Sequence, residues 1–150
     1  MSGLPYSPGT LTANGPANTR VITDSQLTAS VTAPAAGATA STGSINLQAP
    51  GYPTTEQFLA QVVIGAGTGG ANTKNINCYI QHSSDNGNWA NIPELSTALV
   101  VQACDGNGAW SGKQDSVTLP PSTKQYVRVT AATEANGGTP TSTVTLYLTF

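Results

Sequence analysis

From residue 25 onward, hydrophobic and polar residues alternate in short bursts separated by turn-forming clusters. A period of two is the signature of a half-buried β-strand, because successive side chains point to opposite faces. Residues 26–32 (QLTASVT) set Leu27, Ala29 and Val31 against polar partners. Residues 44–47 put Ile45 and Leu47 on one face, and residues 57–64 (QFLAQVVI) form the most apolar run. Residues 75–82 (NINCYIQH) divide Ile76, Cys78 and Ile80 from Asn77, Tyr79 and Gln81. Asn86-Gly87 is a hairpin signal, with residues 89–92 as the return strand. Further strands are predicted over 98–103, 115–119, 125–131 and 141–150, the second of these stopped by Pro120-Pro121. Residues 34–43 read as a small, flexible connection. A helical turn fits only near 54–59 or 93–98. This pattern predicts an all-β fold, an antiparallel jelly-roll or β-sandwich spanning residues 25–150.

Residues 1–24 do not fit that pattern. Pro5, Pro8 and Pro16 alternate with Gly3, Gly9 and Gly15. Proline lacks a backbone donor and glycine resists ordering, so no regular element is expected there. The stretch reads as an extended N-terminal arm that orders when laid on a partner. Leu4, Pro5, Tyr6, Pro8 and Leu11 are its expected partner-binding points. The start has neither a basic region nor an apolar h-region, which predicts a cytoplasmic beginning. No segment has the roughly 20 apolar residues of a membrane span.

Composition narrows the function classes. Charged residues make up 8% of the 150, with 5 Lys+Arg against 7 Asp+Glu. An average domain is about one quarter charged. A net charge of -2 offers no basic field for nucleic acid. Seven scattered acids and 1 His give little to cluster into catalytic machinery, so no enzyme and no catalytic residue is expected. The polar surface is instead built from hydroxyls and amides, with 22 Thr in the chain.

Several local motifs need weighing. Residues 65–70 (GAGTGG) match G-x-G-x-x-G after an apolar strand, but no helix pattern follows, so a loop is expected. His82, Ser83 and Asp85 are too close along one strand end to converge as a triad. Residues 85–88 and 105–108 contain fragments of calcium loops without the later acidic ligand, and read as turns. Cys78 and Cys104 lack zinc spacing and company, so no metal and no cofactor is expected. They read as two small thiols, with a disulfide as the alternative. Trp110 stands among glycines in residues 106–112 (GNGAWSG). A ring in that setting either folds back onto its own domain or docks on a partner, which adds Trp110 to the candidate partner-binding residues.

The run 77–92 (NCYIQHSSDNGNWANI), the later Leu-Pro-Pro, Tyr126-Val127-Arg128-Val129 and the small-residue stretch 27–47 resemble the head-decoration, or capsid cement, proteins of tailed bacteriophages. The resemblance covers residues 26–150. It implies a structural virion protein, assembled in the host cytoplasm as a homotrimer on the outer capsid surface. There it would bind the major capsid protein where neighbouring subunits meet, with no nucleic acid or membrane partner. The alternative is a β module of a phage tail or fibre that binds a host glycan through Trp110 and neighbouring tyrosines.

Overall fold

The computed structural model describes residues 27–47, 58–71, 74–106, 108–136 and 138–149. The expected arm, with Leu4, Pro5, Tyr6, Pro8 and Leu11, lies outside the described residues, as does the possible helical turn at 54–57.

Among the described residues, twelve strands form two packed antiparallel sheets and one small ribbon. Sheet A has the order β1 (Thr28–Thr32), β12 (Thr143–Thr149), β4 (Leu59–Ile64), β10 (Lys113–Thr118). In sheet B, β11 (Tyr126–Thr133) pairs on one side with β2 (Thr39–Ser41) and β3 (Ile45–Asn46), and on the other with β6 (Asn75–Ser83). The far side of β6 carries β7 (Ala90–Asn91) and β8 (Val100–Ala103). β5 (Gly67–Thr68) and β9 (Ala109–Trp110) make the ribbon. The protein is an all-β sandwich.

The period of two explains the layering. On sheet A, Ala60, Val62 and Ile64 of β4 stand beside Leu148, Leu146 and Val144 of β12, all turned inward. From sheet B, Ile76, Cys78 and Ile80 face them together with Val127, Val129 and Ala131. Burying each Val, Leu or Ile side chain contributes about 1.5–3 kcal/mol. Phe58 and Trp110 are the only buried aromatic rings among the described residues. A core of β-branched residues suits a pleated surface, where branching at Cβ restricts χ1 at little cost.

Hydroxyls tie the strands where charges would otherwise stand. Ser30 and Thr145 lie 3.0 Å apart across β1 and β12, and Ser41 and Thr130 lie 2.7 Å apart across β2 and β11. The Thr42 hydroxyl accepts the Val129 N–H at 3.0 Å, and Thr133 donates to the Pro34 carbonyl at 2.7 Å.

Three elements were not expected. β2 arises inside the stretch read as flexible, because its Thr-Ala-Ser sequence has no apolar signal and its place is fixed by backbone pairing to β11. β5 and β9 form within two glycine-rich loops. The connection from β6 to β7 is also longer than a two-residue hairpin. Its last paired residues are His82 and Ala90, and Asn86 turns the chain with φ of 59°. The turn near residue 93 is a short 3-10 turn, Pro93–Leu95.

Candidate functional site

The Gly-rich run leads to a strand, not to a helix, among the described residues. Gly67 and Thr68 enter the β5–β9 ribbon, and Thr68 also bridges to Thr141 with hydroxyls 2.7 Å apart. Gly67 is needed for contact rather than for a turn. A Cβ there would meet the Trp110 ring at 2.6 Å and the Thr141 carbonyl oxygen.

That contact settles the position of Trp110. The ring folds back onto its own domain, 8% exposed, and its Nε1–H donates to the Gly69 carbonyl at 3.3 Å. As a partner-binding residue Trp110 is therefore corrected: its ring is an internal wedge between the ribbon and the sandwich. Each of the two glycine-rich loops supplies what the other needs, a ring and a place without a Cβ.

His82 lies on the inner face of β6, and its Nδ1 accepts the Lys124 backbone N–H at 3.3 Å. Burial and the nearby Lys124 charge push its pKa down, against a smaller opposing pull from Glu94. Ser83 does not bond His82; it donates to Asp85 Oδ1 at 2.8 Å. That oxygen also accepts the backbone N–H groups of Gly87 at 2.9 Å and Asn88 at 2.8 Å. The Asn88 side-chain amide donates to Oδ2 at 2.6 Å. These donors hold the Asp85 carboxyl well below the usual carboxylate range, the Asn88 backbone N–H contributing most. Asp85 is thus the organiser of a turn, its lone pairs engaged by its own loop. The stretch at 105–108 closes as a turn through Gly108 N–H and the Asp105 carbonyl at 3.4 Å.

Cys78 and Cys104 are both buried free thiols. Desolvation pushes the Cys78 thiol up to about 12, so it behaves as a small apolar side chain. Among the described residues no group of three His, Cys, Asp or Glu side chains could hold a metal ion.

The surfaces with distinct character are the outer faces of the two sheets. On sheet A, every side chain of the outward register is uncharged. Thr28, Tyr147, Gln61 and Ser116 form one row across the four strands, and Ser30, Thr145, Val63 and Gln114 form the next. Leu59, 43% exposed, stands between Thr149 and Thr118 at one end.

The outer face of sheet B is built differently. Arg128 on β11 lies opposite Gln81 on β6 and donates to its Oε1 from Nε at 3.0 Å and from Nη2 at 2.9 Å. Thr130 donates to the same oxygen at 2.7 Å, and the Gln81 amide donates to Asn91 at 3.2 Å. The Trp89 ring covers the guanidinium with 4.2 Å between its centroid and Cζ. The outward positions of Gln81 and Tyr79 were legible from alternation. The meeting of Arg128 with Gln81 and Trp89 was not, since it requires the register between β6 and β11.

No protein-family model matches the sequence, and no curated protein matches it significantly.

Proposed function

We propose that this protein is a structural virion component, a capsid decoration protein that assembles as a homotrimer and clamps neighbouring major capsid subunits on the outer surface of a phage head. The observation that carries this reading is the outer face of sheet A, four strands wide and free of charge in its outward register. Removing a charge from water costs several kcal/mol unless it is well paired, whereas hydroxyls and amides exchange one hydrogen bond for another. A face of this kind is suited to repeated close packing, and weak contacts repeated on a lattice become collectively strong.

The strand order adds support. The pairing orders β1-β12-β4-β10 and β2-β11-β6-β8 fit the jelly-roll reading, an architecture that recurs in viral capsid and lectin domains. Fold alone does not assign function, so the reading leans on the face, on the low charge and on the resemblance of residues 26–150 to capsid cement proteins. Binding through such a face is expected to change little with ionic strength.

Light scattering and co-sedimentation of the full chain with phage heads test the reading together. A trimer that pellets with heads is expected. Gln61→Glu, which sets a charge in the middle of the sheet A face, is expected to abolish pelleting while leaving the fold intact. A monomer that stays in the supernatant, or a Gln61→Glu variant that pellets as well as the parent, overturns it.

A further inference from the structure

The sheet B face carries a cation with an unfinished set of partners. Nε and one N–H of Nη2 of Arg128 are spent on Gln81 Oε1. No carboxylate of the described residues pairs with the guanidinium, and Nη1 has no acceptor among them. Among the described residues no buried side-chain nitrogen or oxygen lacks a partner, so the unpaired Nη1 edge opens to solvent. Burial lowers the Arg128 pKa. A half-buried charge without a counterion is costly. This one is nevertheless fixed in place, stacked on Trp89 and hydrogen-bonded in the plane of the sheet.

A guanidinium held by one edge presents the other as a rigid fork that matches a carboxylate. Around it stand planar amides, hydroxyls and aromatic rings: Gln81, Asn91, Thr130, Tyr79 and the half-buried Trp89. Arginine and aromatic rings also centre protein contacts, but here amides and hydroxyls surround them. A sugar instead offers hydroxyls to amides and a C–H face to rings. We infer that the outer face of sheet B is a binding site for acidic saccharides, in which the free edge of Arg128 takes the carboxylate of a uronic-type sugar and Trp89 supports the ring. This inference concerns the opposite face from the proposed capsid contact and does not depend on it.

The chain has 2 Trp, which makes the test direct. The indole N–H resonances of the full-length protein are followed during titration with an alginate oligosaccharide, a polymer of uronic acids. The Trp89 signal is expected to shift saturably, while the Trp110 signal, held on the Gly69 carbonyl, stays in place and reports an intact fold. A neutral dextran oligosaccharide is expected to leave both signals unmoved. Arg128→Gln is expected to weaken alginate binding by roughly tenfold or more, and Trp89→Ala, followed through backbone amides of β6 and β11, by a similar factor. Absence of a Trp89 shift overturns the inference, as does undiminished binding by Arg128→Gln. Equal binding of a polyglutamate peptide also overturns it and marks the face as an acidic-peptide site.

Discussion

The two outer faces of the sandwich solve the same problem in different ways. Sheet A shields its backbone with threonine, serine and glutamine in register, and its hydroxyls bond across strands, as in Ser30 with Thr145. Sheet B centres on one cation, stacked on Trp89 and fixed by Gln81. The first arrangement is repetitive and tolerant, because any hydroxyl in the row can be replaced by another. The second is singular, because one amide oxygen accepts from both Arg128 and Thr130. Low charge is therefore no uniform property of this molecule; it leaves one face blank and makes the single guanidinium on the other conspicuous.

Both faces ride on one shared core. Leu146→Ala on sheet A is expected to cost about 3 kcal/mol and to shift the urea transition equally whether followed by Trp fluorescence or by far-ultraviolet circular dichroism. Two separate transitions would mean that the sheets are stabilised independently. The next largest effect is expected at the ribbon. Gly67→Ala drives a methyl group into the Trp110 ring and the Thr141 carbonyl. It is expected to cost about 2 kcal/mol, with a red shift of Trp110 emission if the wedge is displaced.

On sheet B, Arg128→Met keeps the stem and removes the charge, while Gln81 Oε1 retains the Thr130 hydroxyl. A loss of about 1 kcal/mol in thermal stability is expected. A gain instead would mean that the bare cation strains the fold and is kept for another reason, which would sharpen the contrast with sheet A.

A further effect comes from pH. The folded state holds the His82 pKa below its ordinary value of 6.5, chiefly through burial, so it binds that proton less readily than the unfolded chain does. The contribution is complete above pH 6.5 and declines as pH falls through the depressed folded value. Urea midpoints are expected to drop between about pH 7.5 and about pH 5.5, a window in which Asp85 stays ionised. His82→Gln is expected to flatten that drop.

Much of the inner layering was legible. The alternations at Ile76/Cys78/Ile80, Val127/Val129 and Val144/Leu146/Leu148 each name their buried face, because strand periodicity is a local property. β10 starts earlier than expected, at Lys113, because an edge strand carries polar residues on both faces and so hides its own beginning. β2 was missed for the related reason that Thr39–Ser41 has no apolar contrast. The features that matter most for binding were the least legible. Trp110 turns inward only because Gly67 leaves room, and Arg128 meets Trp89 only once β6 and β11 are in register. Both depend on pairing between distant segments, which periodicity along the chain does not encode.

The antiparallel pairing of β1 with β12 sets Thr28 beside Tyr147. The first and last described strands of the β domain thus enter and leave at the same pole of sheet A. In terms of connectivity the domain is nearly a closed ring, with its opening at one place. A short linker from Thr149 to Thr28 would complete the ring, and new ends cut into the exposed loop 84–88 would give a permuted chain with the same sheets. Anything carried on either end of the β domain emerges from that same pole, which makes this sandwich a scaffold with a single handle.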